Sequence, residues 1–231
     1  MTKANTSAGC LICGAPVVYE EEKERECAVC HRKFVSGAVC TNGHYVCDSC
    51  HTAGFPEYIK FLLFTKEKDP IALMEEVMDL PSVHMCGPEH HMIVPAVLLT
   101  AYKNCGGNID LHAAIKQALD RGKQVPGGTC GYWGVCGASA GAGIYASIIT
   151  GSNPLNAEAW TLPQRLTARI SNKIADIGGV RCCKRTGFIA IMEAALWTKE
   201  TMGISMETKK PVCHYFSNNK ECLGKNCPFH P

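Results

Sequence analysis

Sixteen cysteines stand in this chain of 231 residues, and their spacing sorts them by the chemistry each group could do. The first region reads Cys10-x2-Cys13, Cys27-x2-Cys30 and Cys40-x3-His44-x2-Cys47-x2-Cys50, with Gly9, Gly14 and Gly43 beside the ligands. A CxxC pair offers one ion two thiolates from a single tight turn. Two pairs complete a tetrahedron, so these eight soft ligands predict two zinc ions. So short a segment buries too little apolar surface to fold alone, and the metals would supply its folding energy. The spacing leaves the pairing open. Sequential sites would join Cys10, Cys13, Cys27 and Cys30; a cross-brace would interleave the pairs, and His51 is an alternative ligand.

The segment CTNGHYVCDSC resembles RING-like modules, which implies a metal scaffold for docking and does not carry ubiquitin chemistry with it. At the other end, Cys213-x8-Cys222-x4-Cys227-x2-His230 resembles the CCCH zinc finger. It is one residue short in each of the last two gaps, so His214 competes with His230 as the fourth ligand of a third zinc. The resemblance implies single-stranded RNA stacked on Tyr215, Phe216 and Phe229, with Lys220 and Lys225 nearby. The competing expectation is a metal-stapled tail whose aromatics pack on the core.

Six thiols remain: Cys86, Cys105, Cys130, Cys136 and the adjacent Cys182 and Cys183. Each falls at an element boundary, several beside glycine, where a backbone can bend to aim sulfurs at one centre. Cysteines serving only as small hydrophobes belong on apolar helix faces. Cys130, Cys136, Cys182 and Cys183 are therefore the expected ligands or active thiols, with Cys86 and Cys105 next. A [4Fe–4S] cluster suits scattered single cysteines better than zinc does. His84, His90 and His91, with Glu89, flank Cys86 as ligands or general acid–base groups. Arg181, Lys184 and Arg185 surround the vicinal pair, and Arg165, Arg169 and Lys173 form a basic row. Cations there would lower a thiol pKa, neutralise a cluster, or hold an anion.

The elements that must position these groups are mainly helical. Asp110 caps a helix carrying Leu111, Ala114, Ile115, Ala118 and Leu119, which Gly122 stops. Thr161 and Pro163 open one with Leu166, Ile170, Ile174 and Ile177 on one face, closed by Gly178 and Gly179. Thr186 starts another, Pro88 one through Tyr102, and Pro70 one through Leu80. Residues 137–150 form a helix of small rows, with Gly137 and Gly141 stacked, and Cys136 at its start, where the dipole favours a thiolate. Glycine costs about 1 kcal/mol against alanine in a helix. Such rows therefore imply close approach by another helix or by an inorganic cofactor. The expected fold is mainly α: a two-zinc module over 1–54, a helical cysteine-containing core over 55–205, and a CCCH-like metal-binding tail over 206–231.

CGYWGVCGASAGAG, with Cys182-Cys183 further on, resembles the C-GCAxxG-C-C family of redox-active proteins, although that family's GCA reads VCG here. HMCGPEHHMIVPAVLL, CGASAGAGI and RCCKRTGFIAIMEA together resemble a cysteine-rich family of unknown function from anaerobic archaea and bacteria. The resemblance implies redox or metal chemistry without an assigned activity. The net charge of +2 marks no global nucleic-acid or membrane binder. Neither a signal-peptide core nor an apolar span is evident, so a cytoplasmic protein with no membrane partner is expected. No Walker loop or strand-linked GxGxxG appears, which argues against a nucleotide cofactor. The functions in view are electron or sulfur transfer with a redox or sulfur-transfer partner protein, a zinc-stapled RNA- or protein-binding module, and a metal chaperone or sensor.

Overall fold

The computed structural model describes residues 9–52 and 56–231, with the side chains of 56 and 57 left aside; the boundary expected at residues 54 and 55 lies outside the described residues. The N-terminal part is built on one hairpin. Strand β1 (Val17–Glu26) pairs antiparallel with β2 (Lys33–Cys40), from Val17 opposite Cys40 to Glu26 opposite Lys33. The ladder is interrupted between Tyr19 and Lys23 within the charged run EEEK. This hairpin has two chemical ends. Its base carries Cys40, held beside the loop of Cys10 and Cys13, and its tip carries Cys27 and Cys30. A short helix, α1 (Asp48–His51), follows.

The rest is helical: α2 (Pro56–Phe64), α3 (Pro70–Met78), α4 (Glu89–Asn104), α5 (Leu111–Gly122), the single turn α6 (Thr129–Tyr132), α7 (Gly137–Ile149), α8 (Ala157–Ile177) and α9 (Cys183–Met202). Local chemistry explains most ends. Asp69, Asp110 and Asn156 each accept a backbone N–H of the first turn of α3, α5 and α8. Gly203 ends α9 in the left-handed conformation. Asn156 starts α8 five residues ahead of the Thr161 expected from sequence, because an Asx cap outcompetes a mid-helix threonine. Among the described residues no helix is long and apolar enough to cross a membrane.

Helix α4 is the axis of the core, buried from Glu89 to Tyr102 and packed against α3, α5, α7 and α9. The small rows of α7 serve helix packing. A Cβ on Gly137 would enter the His91 ring, and one on Gly143 would meet Thr167 of α8. Gly141 would stand 3.1 Å from the His91 carbonyl and 3.0 Å from the Pro95 ring. That carbonyl is the one Pro95 leaves without its usual i+4 donor. The glycines of α7 thus let its backbone approach the kink-prone stretch of α4.

Past Met202 the chain has no long element. It carries short 3-10 turns at Phe216–Asn218 and Gly224–Asn226, and Cys213 N–H donates to the Phe229 carbonyl at 2.7 Å.

Candidate metal and thiol centres

In the N-terminal module the eight ligands form two groups. Cys10, Cys13, Cys40 and His44 make one; Cys27, Cys30, Cys47 and Cys50 make the other. Each draws on alternate pairs, which is the cross-brace, and His51 joins neither. All ligand atoms within each group lie within 4.8 Å of one another. Tetrahedral thiolates at 2.3 Å from one ion stand about 3.8 Å apart. Cys13 and Cys40 sulfurs are 3.9 Å apart, and those of Cys30 and Cys47 are 3.8 Å apart. Both groups are thus dimensioned for a single ion.

Backbone amides converge on the same sulfurs. Cys10 accepts from Ile12 N–H at 3.4 Å, Cys40 from His44 N–H at 3.2 Å, and Cys27 from Cys47 N–H at 3.3 Å. These donors favour negative sulfur. In the second group burial raises Cys27, but the N–H groups of Cys47, Cys30 and Val29 outweigh it and bring the thiol to about 6. Burial and the neighbouring sulfurs push Cys50 up to about 12.

The module docks on the helical core over a cavity of about 370 Å³ whose wall includes Tyr19, Cys86, Cys130, Tyr132, Arg181 and Cys183. Cys86 lies just ahead of α4, and Cys183 opens α9. Both sulfurs border the same cavity, close enough for each to shift the other's pKa. The Cys183 thiol and its N–H hold Cys86 down at about 6, whereas Cys183 is driven well above the usual thiol range. Arg181 lies over the Tyr19 ring at 5.3 Å, and its charge lowers the Cys86 thiol further. Cys136, the N-cap of α7, is within electrostatic reach of Cys130 and Cys183 but outside the wall. Unlike the module ligands, the wall thiols do not form a group closed to within 4.8 Å.

Beside this cavity His84 and Glu89, expected together from sequence, are joined by His51 of α1. Glu89, fully buried at the start of α4, has Oε2 3.0 Å from His51 Nδ1 and Oε1 3.4 Å from His84 Nδ1. His84 N–H donates to Oε1 at 2.9 Å. The three side chains could hold a metal ion, or share protons as a buried carboxylate with two imidazoles. Burial alone would raise Glu89, yet His51 and His84 hold it well below the usual carboxylate range. His51 ends α1, so this cluster also ties the module to the core. So does Asp48, whose carboxylate accepts Gly127 N–H at 2.8 Å. The sequence set His84 and Glu89 together beside Cys86; the partner from α1 could not be read from spacing.

Other expected residues are placed differently. Cys105 caps the far end of α4, roughly 24 Å along the helix from Cys86. Its sulfur faces the Lys68 carbonyl at 3.8 Å. His91 reaches the cavity wall, with Nδ1 donating to the Val125 carbonyl at 2.8 Å. His90 is off the wall, and burial and the Lys184 cation hold it at about 3, so it is neutral. Lys184 is buried and donates to the Met78 and Val83 carbonyls at 3.1 and 3.4 Å. Arg185 donates to the Gly178 and Val180 carbonyls, and Arg169 pairs with Glu193 and Glu200, both at 2.7 Å. Most of the basic residues near the vicinal pair thus bind backbone or carboxylates.

The tail packs its aromatics inward. Tyr215 and Phe229 are buried, Tyr215 donating to Asp79 at 2.7 Å and Phe229 meeting Phe188 edge-on, so Phe216 alone of the three is exposed. Cys182 faces away from Cys183, into a small pocket shared with Cys213, Cys222 and Cys227. His230 rests against Phe216, and His214 bonds Asp79 at 2.8 Å; neither lines that pocket.

No curated protein and no solved structure matches this chain. A family model described as a family of unknown function (DUF5714) matches residues 59–230, which takes in the helical core and the tail and leaves out the two-site module. The chain, with its cavity thiols and tail cysteines all inside the matched span, belongs to the DUF5714 family.

Proposed function

We propose that this is a zinc-braced electron-transfer protein whose working centre is an iron–sulfur cluster in the cavity between module and core. The observation that carries the reading is the contrast in scale between two kinds of thiol group. Four ligands of each module group fit one ion, and zinc suits four thiolates, or three with one imidazole. Cys86, Cys130 and Cys183 instead border about 370 Å³ without closing on one point. A cluster carries its own sulfide and needs its ligands spread wider than one ion does. Bound there, it would supply one-electron chemistry. The residues of the chain would hold it by Cys86, Cys130 and Cys183, with Cys136 adjacent. Two helix N-termini and Arg181 would offset its negative charge, and the docked module would limit water.

Anaerobically purified protein should be brown, absorb broadly near ~400 nm and contain iron and acid-labile sulfide. Cys86→Ser and Cys183→Ser should each lower both contents, and Cys105→Ser should leave them unchanged. Protein carrying zinc alone, with neither iron nor sulfide, overturns the cluster.

The placement of Cys86 and Cys183 on one cavity wall, with Cys183 lowering the Cys86 thiol, favours a second reading, a redox dithiol. Both thiols would lose their protons and join as a disulfide. The two electrons and two protons would pass to a disulfide of a partner protein, which leaves as two thiols. Iron-free protein would then lose two titratable thiols on oxidation, and Cys183→Ser would abolish that loss.

A further inference from the structure

The vicinal cysteines part company at the start of α9. Cys183 turns to the central cavity, and Cys182 turns to a pocket of about 10 Å³ walled by four thiols and by Met85, Phe188 and Phe229. Four sulfurs from two distant segments meeting in one place, beside Arg185 and Asn219, need a reason, because thiols packed as hydrophobes do not require one another. We propose that Cys182, Cys213, Cys222 and Cys227 form a four-thiolate metal centre that staples the tail to the start of α9.

Three observations converge on it. The first is the backbone. Cys222 accepts Gly224 N–H at 3.4 Å. This is the i+2 contact that Cys10 makes with Ile12 in the module. Cys182 adds the N–H of Arg185 at 3.5 Å, from the first turn of α9. Amides aimed at sulfur stabilise thiolate, the form that binds metal.

The second is Asn219, on the wall of the same pocket and only 5% exposed. Its Oδ1 accepts Glu221 N–H at 3.2 Å, which orients the amide and leaves the buried Nδ2 without a protein partner. A buried amide NH2 left unpaired costs about 1–3 kcal/mol; beside a metal-bound thiolate it gains a charge-assisted acceptor.

The third is the histidines. The ring of His230 lies 4.8 Å from that of Phe216, with Nδ1 2.9 Å from the Pro231 carbonyl oxygen, and His214 is engaged by Asp79. Neither histidine that the CCCH-like spacing suggests lines the pocket, and Cys182, which does, takes the fourth place.

The sulfurs stand further apart than those of a module group, so the chemistry they share is that of a thiophilic centre, zinc or iron–sulfur. The assignment does not depend on the central cavity, which uses Cys183 and not Cys182.

The test is metal and sulfide quantification on the full chain, purified anaerobically as wild type, Cys182→Ser, His230→Ala and His214→Ala. Cys182→Ser should lose the complement of one centre, as zinc or as iron with sulfide, and the histidine variants should lose none. Retention of the full complement by Cys182→Ser, or its loss in His230→Ala or His214→Ala, overturns the proposal. Should Cys182→Ser fail to fold, wild-type protein is treated with increasing chelator and its thiols are alkylated and mapped. Cys182 should become reactive together with Cys213, Cys222 and Cys227; reaction independent of them overturns the assignment equally.

Discussion

The N-terminal module and the helical core both gather cysteines, by opposite means. In the module the ligands are close in sequence, Cys13 meeting Cys40 across 27 residues and Cys30 meeting Cys47 across 17. Little apolar surface stands behind them: β1 has no buried residue, and α1 has none. In the core the sulfurs come from the starts of different helices, and a large apolar interior around α4 sets their positions before any ligand is involved. The lesson is one of cause and effect. In the first region the proposed coordination would make the fold, and in the second the fold sets the positions of the thiols.

That contrast can be broken most directly by removing metal. Structural zinc contributes about 10–16 kcal/mol in zinc-finger peptides, far more than a two-stranded hairpin can supply. Chelator-treated protein should lose amide exchange protection throughout β1 and β2 while α4 keeps it. A metal-free hairpin that stays protected would remove the distinction between the two regions.

The next largest effect should come from Glu89→Ala, at the joint between them. Deleting one partner of a buried charged group leaves the others unpaired and costs about 3–5 kcal/mol. The variant should show a lowered urea midpoint, and amides around His51 and His84 should gain exchange before those of α8. Wild-type behaviour would mean that the module sits on the core without this tie.

Gly137→Ala tests whether the small rows of α7 exist for packing. The new methyl would enter the His91 ring, and overpacking of this kind costs about 1–3 kcal/mol, read as a lowered melting temperature. Gly131→Ala, which meets nothing within 4 Å, should change stability far less. Equal effects would take the packing role away from Gly137. The smallest change should be that of Arg169→Ala, whose partly exposed pairs with Glu193 and Glu200 are worth roughly 1 kcal/mol or less in urea unfolding. A larger loss would assign the basic row a role beyond the surface.

Much of this molecule was decided by local sequence. The CxxC turns at Cys10 and Cys27 and the Asp110 cap each act over a few residues. Their geometry follows from backbone sterics and hydrogen bonding alone. The mainly helical fold and the eight module ligands were therefore legible from residue types and spacing. What spacing could not decide was which distant groups meet. Either pairing of the module ligands satisfies two tetrahedra, and only the hairpin, by holding its base and tip apart, selects the cross-brace. Cys182 and Cys183 are neighbours in the chain, yet the first turn of α9 points them into different pockets, because the residue before a helix is extended and the next is helical. Glu89 meets His51 only because α1 docks over the start of α4. Such meetings depend on how whole elements pack, a property of the summed interior and not of any short stretch that composes it.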